Sequence, residues 1–314
     1  MDERPLEPKL TRKNPIFGSF LLLWKDKLAF ASFLYLIALF ITSALSPMIV
    51  GDKLTKVDFE SFMFHPSIRG GHIFGTDALG RDLFLNILIA SRSSLMISII
   101  VVGASTIIGT FTGMLAGYYG GILDDLVIHL IDLMMAFPSL LLVLVVIFIA
   151  GTGTDKVILV LIVTGWTGYA RIARAETLRL REFQYVEVAK CLGGSDFRII
   201  IRHILPNLVN VIIVMAVLGI VGVIMTESGL SFLGMGIQPP DVSWGLLVAQ
   251  GRNYLTNSWW LAFFPGLAIF ITTTAFSLLS DWVGVIVDPV HRMQLLDLVR
   301  QKPSVKIRTS RQKG

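Results

Sequence analysis

Long apolar runs, separated by shorter polar stretches, dominate the chain. A bilayer core takes about 20 apolar residues as helix. Six runs approach that length, at 28–50, 95–117, 126–150, 157–173, 208–225 and 260–284. They predict six membrane-spanning helices. The third has Pro138 inside it, and the fourth is short and ends in arginines. The first run is long enough to span rather than to serve as the short core of a cleaved signal.

The polar stretches carry their own patterns. "NPIFGSFLLLWKDK" (14–27) predicts a short amphipathic helix at the inner interface, with Trp24 at headgroup level. "HIFGTDALGRDLFLNILIASRSSLMIS" (72–98) precedes span two. Thr76 or Asp77 suits a helix cap there, and 82–95 predicts an amphipathic helix at the outer interface. The plainer alternative is a structural lead-in to the span. "SGLSFLGMGIQPPDVSWG" (228–245) has Gly, Pro-Pro and Asp, which break a helix. It predicts a compact re-entrant or outer loop. Irregular backbone at membrane depth must be buried in protein or line a cavity, so this loop is either a plug between helices or part of an outer mouth.

Composition supports the membrane reading. Of 314 residues, 54% are hydrophobic and 16% charged. A soluble domain carries about a quarter charged residues. The net charge is +5, but the basic residues flank apolar runs, which points to topology rather than to nucleic acid. Lysine and arginine crowd the N-terminal segment, the stretch from Arg171 to Arg202 and the tail after Arg292. The 151–156 loop has only Lys156, and the 226–257 connection only Arg252. Both termini and the 171–207 stretch are therefore expected in the cytoplasm. In 51–93, Arg81 and Arg92 are among basic residues offset by nearby acids. Cys191 is the sole cysteine, so no intramolecular disulfide forms.

The segment between spans four and five is more structured than a linker. "EFQYVEVAKCL" contains good helix formers and ends at Gly193-Gly194, a natural helix stop and turn. Ser195 suits the N-cap of a second helix, with Asp196 in its first turn. Pro206 is tolerated where a new helix starts. The expected form is helix, glycine turn, helix, with the turn projecting outward. The small residues Ala189, Gly193 and Gly194 permit close approach by another backbone. The bland alternative is a surface hairpin that only connects two spans.

Ionisable groups near the spans are Asp125, His129 and Asp132 on one helical face, Glu227 at the end of span five, and Asp281 late in span six. Such groups are functional suspects by default. Each also lies near an expected helix end, where hydration or an inter-helix hydrogen bond serves equally well. No HExxH or paired Cys/His spacing suggests a metal, no nucleophile elbow suggests catalysis, and no GxxxxGK[ST] phosphate loop occurs.

The 187–206 stretch resembles the cytoplasmic coupling loop of ABC importer permeases. That family's pattern is Glu-Ala-Ala, a glycine shortly after, and a downstream Leu-Pro. Glu187, Ala189, Gly193, Leu205 and Pro206 fall on it, while Val188 replaces the middle alanine and His203 an expected Ile. The 72–98 stretch, "GYARIAR" (168–174), 228–245 and "WWLAFFPGLAIF" (259–270) resemble the dipeptide/oligopeptide/nickel branch, in particular its second permease subunit.

The resemblance implies an all-α integral membrane protein of six transmembrane helices, with the type I ABC importer permease fold and both termini cytoplasmic. It implies a cytoplasmic segment at 1–27, a first span at 28–50, an external loop at 51–89, a five-helix transmembrane domain at 90–284 with the coupling loop at about 183–206, and a basic tail at 285–314. The loop residues it singles out are Glu187, Val188, Ala189, Gly193, Gly194, Ser195, Asp196, Arg198, Leu205 and Pro206. It implies a bacterial or archaeal cytoplasmic membrane as the location.

The implied partners are a second permease, two cytosolic ATPases that hold ATP and magnesium, an external substrate-binding protein and lipid. No cofactor or catalytic residue is expected in this chain. Peptide is the expected cargo, with nickel, a metal chelate or an oligosaccharide as alternatives. An ATP-independent secondary transporter would instead show inverted repeats and paired mid-membrane charges. A membrane scaffold would not need the helix–Gly–helix spacing.

Overall fold

The computed structural model describes residues 26–51, 58–67 and 71–287. The interfacial helix expected at 14–27 lies outside these residues except for its last two, and the basic tail expected at 285–314 lies outside them except for its first three. Regular structure among the described residues is helical, with two isolated bridges, Ser67 to His72 and Thr76 to Asp82.

Helix α1 (Lys27–Val50) starts at Asp26, whose carboxylate accepts from the Leu28 and Ala29 amides. Helix α2 (Leu83–Tyr119) has 37 residues and extends about 55 Å. The 82–95 stretch is therefore the head of span two and not a separate interfacial helix. Its cap is Asp82, which accepts from the Leu85 amide at 3.1 Å. The two expected caps are committed elsewhere. Asp77 accepts from the Leu79 and Arg81 amides and from Arg81 Nε, while the Thr76 hydroxyl donates to Ser61 O and accepts from the Phe64 amide.

The third apolar run is two helices, α3 (Gly121–Met135) and α4 (Ser139–Ala150), bent by 91°. Pro138 is the cause, because it lacks an N–H and forces the preceding residue out of helical geometry. With 15 and 12 residues, each half is about 18–22 Å long, short of the roughly 30 Å of a bilayer core. Helix α5 (Thr154–Arg181) runs well past the expected end at 173. Arg171, Arg174, Arg179 and Arg181 thus belong to a helix rather than a loop. Acidic partners stabilise three of them there: Asp132 for Arg171, Asp124 for Arg174 and Glu176 for Arg179.

After a short helix α6 (Gln184–Cys191) and a glycine turn, α7 (Asp196–Ile199), a π turn (Ile200–Ile204) and α8 (Leu205–Phe232) join into one continuous span. Pro206 explains the π turn. It cannot donate to the carbonyl one turn back, and the helix widens immediately before it, with the Leu205 amide reaching Ile200 O. Helix α9 (Trp244–Gly251) and α10 (Trp260–Val287) complete the described residues. Among the described residues, five helices are long and apolar enough to cross a membrane, and the bent α3–α4 pair is a sixth candidate.

The tightest seam joins α2 to α5. Gly109, Gly113 and Gly117 repeat every four residues along α2. A Cβ on Gly113 would lie 2.1 Å from Ala170 O, one on Gly109 2.4 Å from Trp166 O, and one on Gly117 2.7 Å from Arg174 O. Small residues at this spacing let two backbones touch, which drives helix association where lipid removes the hydrophobic drive. Around this seam, α1 is tied to α10 by the Tyr35 and Thr272 hydroxyls at 2.9 Å, and α10 to α8 by Ser280 donating to Val214 O at 3.1 Å.

Two glycines on one helix test the seam. Gly113→Val must displace the α5 backbone and is expected to cost about 1–3 kcal/mol. Gly103 faces open space, so Gly103→Ala is expected to leave the melting temperature unchanged or raised. Size-exclusion melting curves in detergent read both. Equal melting temperatures for the two variants would contradict the seam.

Candidate functional site

Helices α2 and α5 finish at the same end of the bundle, where α7 begins. The segment joining α5 to α7 closes over that end. Its first helix, α6, enters through Phe183, which has extended backbone and no side-chain cap. Its exit is a Schellman turn: the Gly193 amide donates to Lys190 O at 2.9 Å and the Gly194 amide to Ala189 O at 3.0 Å. Gly193 has φ +78°, which glycine adopts at no steric cost.

The inner side of the segment is core. Val186, Ile199, Ile200 and Ile204 are buried with Met114 and Tyr118 of α2, Ala173 and Leu180 of α5, and Leu208 of α8. Ala189 and Leu205 pack against the same cluster. Three polar contacts lock it. The Tyr118 hydroxyl donates to Asp196 Oδ1 at 2.7 Å. The Lys190 ammonium lies 5.2 Å from the centre of the Tyr118 ring, a cation–π contact. Arg181 donates to Gly117 O at 3.1 Å and Tyr118 O at 3.4 Å, satisfying carbonyls that the end of α2 leaves free.

The outer side is the reverse. Leu192 is 83% exposed, Phe197 75% and Val188 56%. Tyr185 and Phe183 are also exposed. Glu187 and Arg198 flank these apolar groups, exposed and without an ion pair among the described residues. An apolar patch rimmed by charge thus stands on a well-packed base.

The sequence-expected residues therefore divide. Glu187, Val188, Gly193 and Arg198 face outward. Ala189 and Leu205 face the core, and Pro206 follows the π turn. Gly194 is small for the turn itself, since a Cβ there would lie 2.7 Å from Ala189 O. Of the three small residues expected to admit a partner backbone, Gly193 alone has open space beside it. Ser195 holds the cap position, but its exposed hydroxyl makes no cap bond. The second helix of the pair is the head of span five and not a free element. Tyr118, Leu192 and Phe197 were not expected. Tyr118 is far from the segment in sequence, so no local pattern marks it.

The opposite end is built from polar burial. Glu227 of α8 is 1% exposed, and its Oε1 accepts from the hydroxyls of Ser231 at 2.7 Å and Ser243 at 2.8 Å. Ser243 also caps α9 through the Leu246 amide. The Trp244 indole donates to Ile87 O at 3.1 Å, and its amide to Ser94 Oγ at 3.2 Å. Residues 233–243 are thus a compact turn clamped onto α2. Between the ends, a 460 Å³ cavity lies among α2, α5, α8 and the α3–α4 joint, lined by Ser105, Thr164, Tyr169 and Thr226 among others.

Tyr118→Phe removes the hydroxyl bond to Asp196 and retains the ring. The loss is expected to be about 1 kcal/mol, so exchange of the 195–199 amides should rise about fivefold. Hydrogen–deuterium exchange measures it, and unchanged exchange would show that the bond does not hold the segment.

Residues 109–292 match the family described as binding-protein-dependent transport system inner membrane component. The chain is 37% identical to the dipeptide transport system permease protein DppC of Bacillus subtilis over 269 residues, 85% of this chain and 83% of that one. It is 34% identical to the oligopeptide transport system permease protein OppC of Haemophilus influenzae, covering 86% of each. It is 33% identical to the probable D,D-dipeptide transport system permease protein DdpC of Escherichia coli, covering 88% of this chain and 94% of that one. In three dimensions it is similar to a chain of the MetNI methionine ABC transporter in inward-facing conformations, with a TM-score of 0.55 and 16% identity over 66% of this chain and 98% of that one. That likeness shows the type I permease fold. The family match over more than half of the chain, with these identities, makes it a member of the binding-protein-dependent transport system inner membrane components.

Proposed function

We propose that this chain is a permease subunit of an ABC importer for di- and oligopeptides, and that residues 182–206 receive an ATPase subunit. The exposed row Val188, Leu192 and Phe197, standing on a buried base, carries this reading. The peptide-transport relatives support the cargo. A second, similar permease completes the path. Two ATPases bind ATP and magnesium on the side of α6, which is the cytoplasm together with both termini. An external binding protein delivers peptide at the opposite end.

The packing suggests how force travels. A push on α6 bears on the Val186–Ile204 core, which α2, α5 and α8 share. Tyr118–Asp196 and Arg181 tie the end of α2 to the same unit. Movement of the docked ATPase therefore displaces three spans together, and the cavity between them changes its access from one end to the other. This chain supplies the path and the lever, while the chemistry of ATP hydrolysis belongs to the partner.

Leu192→Asp places a charge in the centre of the apolar patch, and Gly193→Trp adds a bulky, conformationally strained group beside it. Glu187→Arg reverses a flanking charge. All three are expected to insert and assemble with the second permease. Loss of a central apolar contact costs about 1–3 kcal/mol of binding, so retention of the ATPase on purification should fall about tenfold for Leu192→Asp. Gly193→Trp and Glu187→Arg should uncouple ATP hydrolysis from peptide uptake in proteoliposomes. Normal uptake by all three variants would defeat the assignment.

A further inference from the structure

The Ser-Arg-x-Ser-Leu element at 91–95 is explained by the fold at every named position but one. Ser91 donates to Leu88 O, Ser94 accepts from the Trp244 amide, and Leu95 is core. Arg92 is exposed and forms no hydrogen bond or ion pair among the described residues. It lies near the start of α2, in the first third of the helix.

Arg92 opens into a cavity of 860 Å³ at the end opposite α6, walled by α1, α2, α9 and the 239–242 turn. That volume falls within the roughly 300–1,000 Å³ of small-molecule sites. Two other charged residues share the lining. Arg81 is held by Asp77 at 2.8 Å, and Asp241 accepts from the Thr154 hydroxyl at 2.6 Å. Ser93 and the exposed amide of Gln250 share the wall with Arg92. The cavity thus presents one unpaired guanidinium, Arg92, with neutral polar groups and the Asp241 carboxylate on the same wall. A guanidinium fork fits a carboxylate by two parallel hydrogen bonds.

We infer that Arg92 receives the C-terminal carboxylate of the arriving peptide, making this cavity a cargo subsite within the permease. The inference rests on the peptide-importer reading above. It gives this chain a role in selecting cargo, separate from the docking of the ATPase at its other end.

Thiol protection in membranes containing the full transporter tests it. Cys191→Ser removes the native thiol, and Ser93→Cys places a reporter on the cavity wall. Dialanine and tetraalanine, each compared with its C-terminal amide, are the probes. A hydrogen bond to a charged group is worth about tenfold in affinity or more, so the free acids should protect at about tenfold lower concentration than the amides. Adding Arg92→Ala should abolish that difference, and Arg92→Lys should retain part of it. Equal protection by acids and amides, protection surviving in Arg92→Ala, or labelling that neither peptide slows (as for an arginine seated on lipid phosphate) overturns the subsite. Uptake of labelled peptides by the unsubstituted transporter is measured in parallel. Failure there overturns the importer reading, whereas uptake without the protection pattern overturns the subsite alone.

Discussion

The contact of two backbones between α2 and α5 is the constraint on which the rest of the structure depends. Three glycines one turn apart remove α2 side chains at three points of the seam, and the α5 backbone from Trp166 to Arg174 fills the space. The axes can then run together to a common end. There Arg181 reaches the last carbonyls of α2, and Tyr118 reaches Asp196 at the head of span five. Widening the seam by one methyl group would separate the groups that hold the 182–206 segment. The same approach brings Asp124 of α3 within reach of Arg174, so the broken third run is anchored to the seam as well. That pair is bidentate and largely buried, the geometry in which an ion pair contributes most.

The two ends of the bundle solve opposite problems. At the α6 end, apolar side chains are left in the open above a packed base. Such a surface gains by burial against protein. At the other end, a carboxylate and two serines are buried, and the 233–243 turn is closed around them. A buried polar network fixes geometry because each unmade bond is costly. One end is thus prepared to be covered and the other to hold a shape around a cavity. The proposed division, force at one end and cargo at the other, fits this asymmetry.

Much of this was legible in the sequence. Six apolar runs located the spans, because a bilayer-length run of helix is a property of composition and length alone. Gly193-Gly194 located a helix stop, because left-handed backbone is a demand that one residue type meets. The close seam was not read from the sequence, because the four-residue spacing of Gly109, Gly113 and Gly117 does not name the facing helix.

What the sequence by itself determined was therefore local: where helices run, where they stop and where the chain turns. Tertiary structure decided the rest. Arg174 reads as a loop cation until Asp124, fifty residues earlier, lies opposite it. Asp196 reads as a free first-turn charge until Tyr118 meets it from another span. Pro138 announces a break, but the 91° angle between the two halves is seen only in the folded chain. Arg92 and its neighbours become a cavity wall only when α1, α9 and the 239–242 turn close around them. Short-range preference is encoded in successive residues. The partner of a charge or hydroxyl is set by which helices touch, and that is a property of the folded bundle.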